Sequence, residues 1–201
     1  MMILTCLLLG YFFGCVSPAY WVARRRGFDI RSQGTGNAGA SNAAILMGWR
    51  FGVFVALTDI GKAVAAVLAA QALFPGQTGA GLLAGAACVL GHIFPFYLGF
   101  RGGKGFASYM GMILAFNWRV GLVLVVLAAV ITLLSDYIVL ATLTTVVVFP
   151  LYLVLTAPIR LHLAVLAAAS LVIILKHLVN LRRIARGEEI GLRRVGSHPK
   201  Q

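Results

Sequence analysis

Long apolar stretches, separated by short segments bearing glycine and arginine, run the length of this chain. Cut at the polar breaks, they predict seven helices, over residues 3–23, 42–70, 79–98, 106–116, 120–134, 137–156 and 161–176. A bilayer core of about 30 Å needs about 20 apolar residues per crossing helix. Six of the pieces approach that length. The fourth, 106–116, is too short to cross unaided and has to tilt or be buried among the others. No internal repeat, low-complexity segment or second domain interrupts the pattern. The expected fold is an all-α integral membrane protein with seven transmembrane helices in a single domain over residues 1–201.

Charge gives this pattern a direction. With seven spans the termini face opposite sides. One side then receives Arg24, Arg25, Arg26, Arg31, Arg50, Arg101, Lys104, Lys176, Arg182, Arg183, Arg186, Arg193, Arg194 and Lys200, which is 14 of the 17 basic residues. The other receives Arg119 and Arg160, and Lys62 lies within a span. Basic residues concentrate on the cytoplasmic side. The expectation is therefore an outer N-terminus and a cytoplasmic C-terminus in a bacterial inner membrane. The segment 71–78 and the turns at Asn117 and Pro158 face out. Composition agrees: 61% of residues are apolar, 11% are charged and the net charge is +12. A soluble domain does not have this balance. The positive charge suits membrane lipids with anionic headgroups. Nucleic acid is not an expected partner, because no folded basic domain is left to hold it. The first apolar run has neither a basic leader nor an A-x-A site, so it reads as a retained helix.

Chemistry is confined to three polar segments on the cytoplasmic side, expected as loops over about 24–42, 99–105 and 176–201. In Gly34-Thr-Gly-Asn-Ala-Gly-Ala-Ser-Asn42 the glycines permit close backbone approach. Successive N–H groups there can form an anion nest at a helix start; a plain flexible loop with an N-cap is the other reading. Arg101-Gly-Gly-Lys-Gly105, following Gly91-His-Ile-Phe-Pro95, sets two cations among three glycines just before a helix. It follows the logic of a phosphate loop without the G-x-x-x-x-G-K-[ST] spacing, and the alternative is a basic anchor loop. In the third segment His177 and Asn180 are three apart and share a helix face. Asp59 and Lys62, three apart inside the second span, read as a structural ion pair. His92 either holds the loop after it or acts directly. His162 is a structural residue near the outer face, and Thr142 either back-bonds to its own helix or faces the site. Cys6, Cys15 and Cys88 are packing residues. Three segments rich in cations and donors, and poor in carboxylates, suit phosphate groups beside an apolar chain. No metal site or cofactor is expected.

These residues resemble the bacterial acyl-phosphate:glycerol-3-phosphate acyltransferases, the PlsY-type membrane enzymes, over nearly the whole chain. The first family motif is similar to residues 34–42. The Asp-x-x-Lys pair matches Asp59 and Lys62. The second motif is similar to Gly91-His-Ile-Phe-Pro95 with Phe100-Arg-Gly-Gly-Lys-Gly105, and the third to His177-x-x-Asn180 with Gly187-x-Glu189. The resemblance implies transfer of an acyl chain from acyl phosphate to the sn-1 hydroxyl of glycerol 3-phosphate, giving lysophosphatidic acid and phosphate at the start of phospholipid synthesis. Nothing in the sequence demands more than a monomer. By the resemblance Lys104, His177, Asn180 and Thr35 are expected to be catalytic. Gly34, Gly36, Asn37, Gly39, Ser41, Asn42, His92, Arg101, Gly102, Gly103, Gly105, Thr142 and Glu189 are expected to contact substrate. The chain departs from the family pattern at three places. Thr35 stands for a usual Ser, Val139 for a frequent Ser, and Ile45 for a usual Arg. Arg50 is about 140° around a helix from position 45 and does not replace it. Ile45 leaves open an altered-acceptor or inactive relative with the same fold. A small transporter is a third reading, disfavoured because the polar motifs gather at one face.

Overall fold

The structure, a computed structural model, describes residues 1–156 and 160–194; the turn expected at Pro158 and the tail 195–201 lie outside the described residues. The described residues form α1 (Met2–Cys15), α2 (Pro18–Arg25), α3 (Ala40–Met47), α4 (Trp49–Leu73), α5 (Ala80–Ile93), α6 (Phe106–Phe116), α7 (Trp118–Ser135), α8 (Ile138–Thr156) and α9 (Arg160–Ala185), with short 3₁₀ turns between them. No strand occurs among them. Among the described residues, six stretches are long and apolar enough to cross a membrane, with exposed leucines and valines along their outer faces. The chain is a multi-pass, all-α membrane protein. The remaining expected span is α6. Its 11 residues reach only about 16 Å, and it sits inside the bundle against α4 and α5, with Tyr109, Met112 and Ile113 fully buried.

Four expected helices have different bounds, each for a local reason. The third, expected to run to 98, ends at Ile93 because Pro95 cannot continue it, and Phe96–Leu98 form a 3₁₀ turn. The first span breaks at Val16 and Ser17, because Pro18 pushes the residues before it out of the helical region. Val16 and Ser17 have ψ of 115° and 86°. The carbonyls freed there are taken up by other elements: Tyr97 Oη donates to Cys15 O at 2.8 Å, and Lys62 Nζ donates to Val16 O at 2.7 Å. The second expected span is two helices, α3 and α4, divided at Gly48, whose φ of +93° no other residue adopts without strain. The last helix continues to Ala185. Hydropathy ends at Lys176, but arginines are good helix formers, so much of the segment expected as a loop from 176 onward is helix.

The centre of the bundle is α5, with 78% of its stretch buried, against 22% for α7. Close approach makes this possible. A side-chain carbon at Gly10 or Gly14 of α1 would stand 2.0 or 2.1 Å from the carbonyl oxygen of Ala84 or Cys88. One at Gly91 of α5 would stand 2.2 Å from Tyr11 O. Backbones meeting over small residues is how helices gain contact where lipid offers no hydrophobic drive. Tyr11 Oη donates to Phe94 O at 2.8 Å and ties α1 to the end of α5, from which the second glycine segment departs.

Candidate active site

The first glycine segment is shaped by two side chains. Asn42, fully buried at the start of α3, accepts from Thr35 N–H at 2.8 Å. Its amide donates to Ile30 O at 2.8 Å, Asn37 O at 2.9 Å and Gln33 O at 3.1 Å. The turn it enforces needs positive φ at Gly34, +60°, where a side chain would also strike Asn42 Oδ1 at 2.2 Å. Asn37 donates to Thr35 Oγ1 at 2.8 Å and accepts from Gly39 N–H at 3.0 Å. The second organiser is Arg31. Its Nε and Nη2 donate to the Asp29 carboxylate at 3.0 and 2.7 Å, while Nη1 donates to Leu98 O at 2.5 Å across 67 residues of sequence. The guanidinium lies 5.1 Å from the Tyr20 ring centre. Hydrogen bonding from Arg31 holds the Asp29 carboxyl down at about 2, and the same contact raises the arginine. The pair is therefore fixed and ionised, and it clips the first segment to the second.

The second glycine segment folds back over the end of α5. Gly102 N–H donates to Ile93 O at 3.0 Å and Gly103 N–H to His92 O at 3.1 Å, so both amides satisfy carbonyls left open at the helix terminus. Gly102 O accepts from Ala38 N–H at 3.2 Å and joins the two segments. Lys104 comes next. Its ammonium donates to Asn180 Oδ1, and Asn180 Nδ2 donates to Glu189 Oε1 at 2.5 Å. Burial lowers the Lys104 pKa; Glu189 opposes this and Arg183 adds to it. Glu189 reaches Asn180 through a turn at Gly187, φ +70°, where Glu188 N–H donates to Arg183 O at 2.8 Å. His177 is buried one turn before Asn180. Its Nδ1 faces Ile173 O at 2.8 Å. A carbonyl only accepts, so Nδ1 carries the proton and Nε2 keeps a lone pair.

Between these parts lies a cleft of about 860 Å³. Arg31, Arg101, Lys104, Lys176 and Arg183 line it, and Asp29 is the one carboxylate among the described residues of its wall. Thr35, Gly36, Asn37, Arg101, Gly102, Gly103 and Lys104 among the expected site residues are on its wall. Asn180 and Glu189 stand behind Lys104, and His177, expected to be catalytic, is buried on α9 and is not part of the lining. The expected roles of several others change. Asn42 has its polar atoms engaged within the loop and shapes the site from behind. Gly102 and Gly103 give their N–H groups to α5. Gly34 and Gly105 serve as positive-φ turns, Gly105 as the N-cap of α6 with φ +96°. Gly39 is the N-cap of α3. Ser41 is exposed away from the lining. Thr142 is buried on α8 and donates to Ile138 O at 2.9 Å, four residues back on its own helix. Val139 is buried beside it. Ile45, on α3, does not line the cleft.

His92 also lies off the wall. It is buried beneath the second segment, with Nδ1 at 2.9 Å from Lys62 Nζ and 3.2 Å from Asp59 Oδ1. Lys62 and Asp59 are 2.6 Å apart. The sequence reading missed Asp29, Arg31, Lys176 and Arg183. Asp29-x-Arg31 directly precedes the glycines, and Lys176, Asn180 and Arg183 fall on one helical face once α9 is continued, so both signals were available.

The model of the family described as glycerol-3-phosphate acyltransferase matches residues 4–187. The chain belongs to the glycerol-3-phosphate acyltransferase family. Glycerol-3-phosphate acyltransferase of Rhodospirillum rubrum is 38% identical over 203 residues, covering 97% of this chain and 92% of its own. Glycerol-3-phosphate acyltransferase 1 of Oceanobacillus iheyensis is 34% identical over 195 residues, covering 92% of each. The crystal structure of PlsY, an integral membrane glycerol 3-phosphate acyltransferase in its glycerol 3-phosphate form, superposes with a TM-score of 0.85 at 30% identity. That match covers 94% of this chain and 95% of the other. Its lysophosphatidic acid form gives 0.82 at 29% identity. The fold is thus shared along almost the full length, and the family match over residues 4–187 spans the two glycine segments and α9.

Proposed function

We propose that this glycerol-3-phosphate acyltransferase relative moves an acyl chain from acyl phosphate to the sn-1 hydroxyl of glycerol 3-phosphate, at the cytoplasmic face of a bacterial inner membrane. The observation that carries the reading is the cleft itself: five cationic side chains face one carboxylate, and that carboxylate is already paired with Arg31. Such a wall suits two phosphates that repel each other. The exposed apolar faces beside it leave an acyl chain in contact with lipid.

In this reading Lys104, with Asn180 and Glu189 behind it, holds one phosphate. Arg101, Lys176 and Arg183 neutralise the other. The hydroxyl oxygen attacks the acyl carbonyl carbon, the carbon–oxygen bond to phosphate breaks, and inorganic phosphate leaves with the bonding pair. The hydroxyl proton goes to His177 Nε2 or to the departing phosphate. The hydroxyl of Thr35, whose oxygen already accepts from Asn37, donates to the substrate. Fixed donors aimed at developing charge, together with alignment of hydroxyl and carbonyl, can remove about 7–11 kcal/mol of barrier. The single domain, the seven-span count with α6 included, the outer N-terminus and the monomeric state belong to the same proposal.

Ile45 favours one other reading, a relative with a different phosphorylated acceptor or no activity. The test is phosphate release from purified, lipid-reconstituted protein given palmitoyl phosphate with and without glycerol 3-phosphate, beside a Lys104→Ala control. Release that needs both substrates and is lost in the control supports the acyltransferase. Folded protein without acceptor-dependent release transfers the case to the other reading.

A further inference from the structure

The ion cluster under the second glycine segment is buried throughout: Asp59, Lys62 and His92 are 1%, 6% and 5% exposed. Charges inside a membrane-spanning segment are costly, and well-packed apolar residues often stabilise as well as a buried ion pair does. Packing alone therefore does not account for the cluster. Its geometry suggests what does. The Lys62 ammonium stands among three groups that approach it from three directions. These are Asp59 Oδ1 on its own helix at 2.6 Å, Val16 O at the break between α1 and α2 at 2.7 Å, and His92 Nδ1 on α5 at 2.9 Å. His92 Nδ1 also stands 3.2 Å from Asp59 Oδ1, so this ring nitrogen is shared between the ammonium and the carboxylate, and the opposite ring nitrogen is Nε2.

That nitrogen points at the loop. A side-chain carbon on residue 103 would stand 2.0 Å from His92 Nε2, while the His92 carbonyl takes the Gly103 N–H at 3.1 Å. One residue thus carries the loop on its ring and holds it by its backbone, and the next residue along the loop is Lys104. We infer that Asp59, Lys62 and His92 are positioning residues: they fix the height of loop 102–104 above α5, and so place the Lys104 ammonium against Asn180. The consequence for catalysis rests on the reading that Lys104 holds a substrate phosphate; the consequence for Lys104 itself does not.

The test uses Lys62→Met, a change remote from the cleft wall, in full-length reconstituted protein. Acetylation of Lys104 and Lys176 by an N-hydroxysuccinimide ester of acetic acid is followed by mass spectrometry. Released from Asn180, Lys104 is expected to react at least about fivefold faster in the variant while Lys176 is unchanged. In the phosphate-release assay the KM of one phosphorylated substrate rises about tenfold and kcat stays within about threefold. If Lys62→Met does not fold because Asp59 is left unpaired, Asp59→Asn/Lys62→Met removes both charges and is read in the same way. An unchanged Lys104 rate in folded protein, or a parallel rise at Lys104 and Lys176, overturns the inference. Wild-type protein that ignores glycerol 3-phosphate overturns the functional reading instead, and the acetylation arm still decides this one.

Discussion

Replacing Asn42 by alanine removes the organiser of the first glycine segment without touching the cleft wall. Asn42 is fully buried; it accepts one hydrogen bond and shares two amide hydrogens among three carbonyls. Counting three effective bonds at about 1 kcal/mol net each gives a local loss of about 3 kcal/mol. Buried groups left unsatisfied at about 1–3 kcal/mol each push it higher. About 3 kcal/mol is more than a hundredfold in the closed-to-open ratio of the loop, because every 1.4 kcal/mol is a factor of ten. Hydrogen exchange by mass spectrometry reads this ratio directly. Residues 30–39 should lose at least about a hundredfold of protection while α5 keeps its own. kcat/KM should fall in step. Asn42→Asp is the sharper variant. It preserves shape and the acceptor for Thr35 N–H, but sets a carboxylate against three carbonyls, so its loop should open as far as that of the alanine variant. A loop that stays protected in both variants while activity collapses would refute the argument, and would return Asn42 to the role of substrate ligand.

Three further outcomes follow from the same geometry. The Asp29 carboxyl is held at about 2, below its ordinary 3.8. Its contribution to the loop clip is thus complete above about pH 4 and fades as pH falls toward 2; loop exchange against pH should show this, and Asp29→Asn should abolish the dependence. Burial lowers the Lys104 pKa, so substrate KM should climb on the alkaline side before an ordinary lysine would lose its proton. Lys104→Arg should move that limb upward, as pH–rate profiles will show. Gly10→Leu sets a side chain 2.0 Å from the Ala84 oxygen, and α1 cannot then seat on α5. The protein should lose several degrees of thermal midpoint in detergent, whereas exposed Leu8→Ala should change it little.

The spans were legible because a bilayer imposes a length on apolar sequence, and the three motif segments because glycine and charge interrupt that length. The bounds were less so. Pro18 and Gly48 each carried a visible signal for a break, but uniform apolarity on both sides masked it. The end of α9 was obscured because hydropathy stops at Lys176 while helix propensity does not. Within the site, local contacts such as Asn37 with Thr35 lie within reach of sequence. The Arg31 clip to Leu98 does not, nor does the capping of α5 by Gly102 and Gly103, since both depend on which distant carbonyls are left open. Thr142 was the opposite case: its short-range bond to Ile138 was one of the two readings the sequence offered.

The seat of α1 on α5 also sets a schedule for assembly. Tyr11 and Phe94, which join the two helices, are 83 positions apart. At a synthesis rate of roughly 5–20 residues per second, the first helix is made about 4 s or more before its partner is complete. Through that interval Gly10 and Gly14 have no backbone to meet and face lipid or the insertion machinery. Nascent chains stopped before Gly91 should therefore expose an α1 that a crosslinker finds among lipids or insertion factors, and release of the remaining residues should close it into the bundle.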